Sequence, residues 1–360
     1  MAATSKELND FSDGFFGGVI TAMVTPMHCL APENSAPENS APERSAPQNS
    51  APRSDAIAVD FETAAKLAVH LAESGSDALV LSGTTGEAPT THIDEKAQLI
   101  KTVCSALLHT FPGRKVPIIA GTGSNDTAHA VRNTEVAFES GADAALVVTP
   151  YYSRPSQAGI FEHYRAVAAS TSLPVILYDV PARSGVSIEI DTYTKLAEIP
   201  NIVAVKDATG NVYRALKIQL AMNAVRKERG LPEVTLYSGD DTLLLPFLAV
   251  GARGIISVAS HLVGDLFSEV VEKQLAGDTK SALKAFQKSM YAVDICNDSG
   301  QQAACTKAAL QALGVIPNRQ MRLPNLQLDD GTSAKLASRM LLPEANILAS
   351  TNEKKRNEAI

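Results

Sequence analysis

In the stretch NIVAVKDATG, residues 201–210, a lysine interrupts an apolar run. Ile202, Val203, Ala204 and Val205 suit a parallel strand covered on both faces, whereas lysine is among the residue types least often fully buried. Side chains alternate along a strand, so Ala204 and Lys206 fall on one face and Val203 and Val205 on the other. A lysine kept inside at a strand end loses hydration, and this disfavours its ammonium form. Lowering its pKa from about 10.4 to about 7–8 corresponds to roughly 3–5 kcal/mol of differential environment. An uncharged amine in a closed pocket attacks a carbonyl carbon, which is the start of Schiff-base chemistry. Taken alone, the stretch is explained at least as well by pairing of Lys206 with Asp207, or by a side chain reaching back to water.

Other groups have similar pairs of readings. GTTGE, residues 83–87, offers backbone N–H groups and the hydroxyls of Thr84 and Thr85, which could hold a carboxylate. A glycine turn whose threonines cap the next helix fits equally well. Tyr178 in PVILYDV shares strand parity with Ile176, and a phenol deep in a site can pass protons; most buried tyrosines are structural. Arg183, in the loop VPARSG, could clamp a carboxylate or simply be solvated. Asp240 and Asp241 in SGDD read first as helix N-caps. GTGSND places Asp126 where a dinucleotide fingerprint needs its third glycine, so that fingerprint is not supported. The seven histidines form no HxxxH or HExxH pair and no Cys/His cluster, so no metal site is expected.

The elements that must position these groups are legible from hydropathy. Eight apolar runs alternate with helical patterns, at 17–26, 77–83, 116–123, 142–150, 174–180, 202–208, 234–240 and 254–260. ESGSDALVLSG (73–83) and ESGADAALVVT (139–149) are nearly the same text, and VGARGIISV (250–258) is a looser version. Each reads as helix, glycine C-cap, short turn and buried strand. Eight such units predict an α/β fold, a (β/α)8 barrel over 14–277, with a doubly wound open sheet as the competitor. In a barrel the active site lies at the C-terminal strand ends, where all the groups above fall.

Three segments stand outside the repeat. Residues 1–13 read as an N-terminal extension. APENSAPENSAPERSAPQNSAPRS, residues 31–54, is a proline-punctuated repeat with nothing larger than alanine to bury, expected to be a solvated tether between the first strand and first helix. From 278 to 350 only helical spacing appears, predicting a helical domain, and 351–360 is expected to fray. The net charge of −7 and the lack of long basic runs argue against nucleic acid or an anionic membrane as partner. Four cysteines without CxxC spacing suggest reduced thiols, the start lacks an apolar signal region, and no transmembrane run is present; a cytoplasmic protein is expected.

In order along the chain, GTTGE, TPYYSRPSQ, YDVPARSG, VKDATG, SGDD and GIISV resemble the dihydrodipicolinate (4-hydroxy-tetrahydrodipicolinate) synthase family. That family belongs to the N-acetylneuraminate lyase superfamily of pyruvate-dependent class I aldolases. The likeness spans about Gly17 to Pro324, interrupted by the repeat. It implies a (β/α)8 barrel with a C-terminal helical domain, a homotetramer, and no cofactor. It implies a lyase acting on pyruvate and L-aspartate 4-semialdehyde on the route to diaminopimelate and lysine. Lys206 would form the Schiff base; Tyr178 would be the general acid/base, relaying protons with Thr84 and with Tyr152 from a neighbouring subunit. Thr85 and the Ile256 backbone would hold the pyruvate carboxylate, Arg183 the second substrate's carboxylate, and Gly239 would also lie at the substrate. Some relatives are inhibited by lysine through histidines and a glutamate; here Ile93, Lys96 and His129 stand in those places, so weak or absent inhibition is expected.

Overall fold

The computed structural model describes residues 15–30 and 57–340; residues 1–13, the 31–54 repeat and the 351–360 tail lie outside the described residues, as does the last part of 278–350. Each of the eight apolar runs contains one strand of a closed parallel barrel. These are β1 (Val19–Ala22), β4 (Ala78–Leu81), β5 (Ile118–Gly121), β6 (Ala144–Val148), β7 (Val175–Asp179), β8 (Ile202–Asp207), β9 (Thr235–Ser238) and β10 (Gly254–Ser257), with β1 closing the ring between β4 and β10. The open sheet is thereby excluded.

Between β1 and β4 in the chain stands a small antiparallel pair, β2 (Met27–Cys29) and β3 (Ile57–Val59), with Met27 opposite Val59 and Cys29 opposite Ile57. It follows the C-terminal end of β1, on the side of the barrel where the site lies. Three-residue strands carry too little periodicity to be read from sequence.

Helices pack outside the barrel: α1 (Phe61–Glu73), α2 (Ile93–Thr110), α3 (Thr127–Glu139), α4 (Gln157–Ala169), α5 (Pro181–Ser184), α6 (Ile190–Leu196), α7 (Val212–Arg229), α8 (Leu244–Ala249) and α9 (Ser260–Leu275). Side-chain caps fix several starts: Asp60 accepts from the Thr63 N–H, Asp126 from Ala128 and Asn211 from Arg214. Then α10 (Thr279–Asn297), α11 (Gln302–Ala312) and α12 (Asp330–Met340) form the C-terminal helical region. No helix among the described residues is long and apolar enough to cross a membrane.

The repeated text has a physical cause. Gly75 and Gly141 end their helices at φ +97° and +94°, where a Cβ would be strained. The aspartate two residues later stitches neighbouring strands: Asp77 Oδ2 accepts from Gly18 N (2.7 Å) and Val19 N (2.9 Å), and Asp143 Oδ2 accepts from Ile118 N (2.9 Å).

Alternation sorts the strand residues into two layers. Ile176, Tyr178, Ala204 and Ile256 join an inner cluster to which all eight strands contribute, while Leu177, Val205 and Leu236 pack outward against helices. One expectation is corrected. Val203 does not share the outward face of Val205 but packs against the inner cluster. The cause is an irregularity in the β7/β8 ladder: Val175 pairs with Ile202 but Ile176 with Ala204, so an extra residue resets the alternation at Val203. Ala204 and Lys206 keep their shared inward face.

Candidate active site

Lys206 sits at the C-terminal end of β8, beside Tyr178 in the register of β7. It is only 6% exposed, and its Nζ lies 4.4 Å from the centre of the Tyr178 ring. Burial lowers its pKa to about 8, the Arg183 charge acts in the same direction, and the Asp241 carboxylate opposes both. Room for the side chain comes from Gly239: an added Cβ there would stand 3.1 Å from Lys206 Cε and 2.8 Å from the Ala208 Cβ.

Tyr178 is buried, and burial raises its pKa; the Arg183 charge and a hydrogen bond with the Thr84 side chain pull it back. Thr84 is itself exposed, and Thr85 is buried. The turn that carries them is held between two non-glycine residues at positive φ, Ser82 (+53°) and Glu87 (+57°). Such conformations cost about 1–3 kcal/mol each and persist only where surroundings enforce them. Here Glu87 is enforced by the fully buried Lys307, whose Nζ lies 2.6 Å from Glu87 Oε1.

These groups open onto one cavity of about 630 Å³. Thr84, Thr85, Tyr178, Arg183, Lys206 and Gly239 all line it. Ile256 and Tyr152 do not. Ile256 is buried inside the barrel opposite Ile20, and Val258, two residues on, lines the cavity instead. Tyr152 is 89% exposed at φ +71°, while its neighbour Tyr151 lines the cavity. Among the described residues no aspartate or glutamate lines it, whereas Lys96, Arg183 and Lys206 do. A cavity so lined favours anionic ligands and places among them an amine that gives up its proton readily.

Two further residues lie at this site, one read from the sequence as a helix cap first and one left within the C-terminal helical region. Asp240 is the helix cap expected, accepting from Thr242 N at 2.9 Å. Asp241 instead turns inward, accepting from the N–H groups of Val258 (3.3 Å) and Ala259 (3.0 Å), and is the carboxylate felt by Lys206. The signal in SGDD does not say which aspartate reaches the loop after the neighbouring strand. Gln302, from the first turn of α11, lines the cavity and its Oε1 accepts from Arg183 Nη2 at 3.2 Å. The C-terminal helices therefore furnish part of the site and are more than an appendage.

Comparison with known proteins agrees with this architecture. The family model of the dihydrodipicolinate synthetase family matches residues 42–341. A 4-hydroxy-tetrahydrodipicolinate synthase of Bifidobacterium animalis subsp. lactis is 44% identical over 315 residues, covering 88% of this chain and 90% of that one. Among solved structures, the DHDPS of Cyanidioschyzon merolae with lysine bound superposes with a TM-score of 0.77 at 35% identity, over 93% of this chain and 100% of that one. The dihydrodipicolinate synthase of Acinetobacter baumannii complexed with pyruvate gives 0.76 at 35% identity, over 92% and 99%. With the barrel, the buried lysine and these likenesses in agreement, the chain belongs to the dihydrodipicolinate synthetase family.

Proposed function

We propose that this protein is a 4-hydroxy-tetrahydrodipicolinate synthase, a lyase that condenses pyruvate with L-aspartate 4-semialdehyde in diaminopimelate and lysine biosynthesis. The observation that carries the reading is Lys206: a buried amine with a pKa near 8, against a buried phenol, in a cavity where the described residues supply cations and no carboxylate. Its neutral amine adds to C2 of pyruvate, and protonation of the oxygen releases water to leave an iminium. Loss of a methyl proton gives an enamine, whose carbon attacks the aldehyde carbon of the semialdehyde. The second substrate's own amine then attacks the former C2, closing the ring and freeing Lys206. Tyr178, in contact with Thr84, is the group placed to give and take these protons. Thr85 and the Ile256 backbone are assigned to the pyruvate carboxylate, with Gly239 beside it, and Arg183 to that of the semialdehyde. The cationic lining suits both acids.

Borohydride reduction in the presence of pyruvate tests the reading. A pyruvyl adduct on Lys206, with turnover of aspartate semialdehyde and none of N-acetylneuraminate, is expected. An adduct on another residue, or none, overturns it. Tyr178→Phe should still be trapped but lose about a hundredfold to ten-thousandfold in kcat, because the phenol moves protons and does not form the bond; single-turnover trapping beside steady-state assay checks the split.

Assembly as a cytoplasmic homotetramer, with Tyr152 entering a neighbour's site, belongs to the same reading and is supported by that side chain's exposure outside its own cavity. Co-expressing Lys206→Ala with Tyr152→Phe should then give more activity than either alone, since sites combining an intact Lys206 with a donated Tyr152 form only in mixed assemblies. Activity no higher than that of the separate variants would count against donation. Ile93, Lys96 and His129 line the same cavity, where no described residue offers a carboxylate to an ammonium. A lysine titration should accordingly show no micromolar inhibition.

A further inference from the structure

Behind the Lys206 and Tyr178 pair lies a second pair of side chains that the reaction does not consume. Asp179 follows Tyr178 and Asp207 follows Lys206, and the two aspartates are partners in the β7/β8 register. By strand alternation they face away from the cavity, and both are fully buried. Like charges directly opposite one another on neighbouring strands are destabilising.

Arg214, in the first turn of α7, stands between them. Its Nη2 donates to Asp179 Oδ2 at 3.1 Å and to the Ile188 carbonyl at 2.5 Å, and its Nη1 lies 3.8 Å from Asp207 Oδ2. Asp179 Oδ2 also accepts from Tyr193 Oη (3.2 Å) and Ile188 N (3.3 Å), and Asp207 Oδ1 from Thr209 N (2.8 Å). Burial pushes the Asp179 carboxyl up to about 6 against the pull of Arg214.

The cluster is not built for stability alone. Asp179 Oδ1, Asp207 Oδ2 and Arg214 Nη1 are buried without a hydrogen-bond partner among the described residues. Two carboxylates share one guanidinium, and apolar residues of similar volume in such a place are commonly as stable or more so. What the arrangement does secure is the relative position of two strand ends, each one peptide bond from a reacting side chain.

We infer that Arg214, by bridging Asp179 and Asp207, is a positioning residue that holds the strand ends so that Lys206 and Tyr178 meet in reactive geometry. The inference rests on the role given to Lys206 in the proposed reaction. Neutralising the bridge strips two opposed buried carboxyls of their shared donor, so that repulsion where both ionise, and unmet hydrogen bonding where one is protonated, part the strand ends and displace the amine from the phenol. Removing one of the two charges as well relieves that repulsion.

The test uses the full chain and pyruvate with borohydride. Arg214→Met should fold, by far-UV circular dichroism, and be trapped on Lys206 at least tenfold more slowly at saturating pyruvate, with KM for pyruvate changed less than threefold. Arg214→Met/Asp179→Asn should recover at least threefold of the lost rate, as should Arg214→Lys relative to Arg214→Met. Unaltered trapping in Arg214→Met overturns the inference, as does a loss that Asp179→Asn leaves in place. Failure of both Arg214→Met and the double variant to fold also overturns it, by making the cluster merely structural. If the unsubstituted chain is not trapped on Lys206, the catalytic reading itself fails; trapping there with an unaffected Arg214→Met removes the clamp alone.

Discussion

Lys206→Ala should abolish pyruvate trapping and lower kcat/KM by at least about a thousandfold, a loss of about 4 kcal/mol or more in transition-state stabilisation. The size follows from what the site does to the amine. With a pKa near 8, about one-tenth of the enzyme carries a neutral Lys206 at pH 7, against about one part in three thousand for an unperturbed lysine. The same argument fixes the pH dependence: the trapping rate should climb as pH rises through about 8 and then level off. Lys206→Arg should be as inactive as alanine, because a guanidinium stays charged. The price appears in stability. The folded chain binds fewer protons at this site than the unfolded chain between pH 8 and 10.5, so stability rises with pH across that window; below it the full penalty stands. Lys206→Met should therefore be inactive yet more stable at pH 7, by up to about 3 kcal/mol in urea denaturation. A methionine variant less stable than the parent would contradict the account of Lys206 as a desolvated amine.

How far the sequence reaches differs from one position to the next. The eight strands were legible because each is buried on both sides by helices and by the barrel interior, which leaves uninterrupted apolar text. Alternation puts Lys206 on its observed face but not Val203. Alternation is a property of one strand, whereas the irregularity at Val203 exists only in the pairing of β8 with β7. Asp241 was hidden for a related reason. Its partners, the Val258 and Ala259 amides, come from the loop after another strand, and nothing in SGDD points there. Helical spacing from 278 onward showed that α10 and α11 exist, because amphipathic period is local. That Gln302 faces the cavity and Lys307 the GTTGE turn is decided by how those helices dock, and docking leaves no local mark.

Lys307→Met should destabilise the chain by about 3–5 kcal/mol in urea denaturation at pH 7 and lower kcat along with it. Lys307 and Glu87 have no exposed side-chain surface, and their contact spans the distance from α11 to the GTTGE turn. The lysine also donates to the Gln320 carbonyl at 2.7 Å, and Glu87 Oε2 accepts from Arg322 N at 3.2 Å. Burial pushes the Lys307 pKa down while Glu87 raises it, so each charge is tolerable only because the other is present. Methionine fills the space of the lysine stem but leaves the Glu87 carboxylate buried with a single backbone donor. Glu87 ends the turn at φ +57°, and it has no reason to hold that conformation once its partner is gone. The turn can then relax, and Thr84 and Thr85 move with it. This separates the prediction from a general loss of packing: Glu87→Gln/Lys307→Met should regain a large part of both stability and kcat, since the uncompensated charge is removed while the shape is kept. A loss under about 1 kcal/mol in the single variant, or none regained in the double, would mean that the C-terminal helices merely cover the barrel and do not set its catalytic turn.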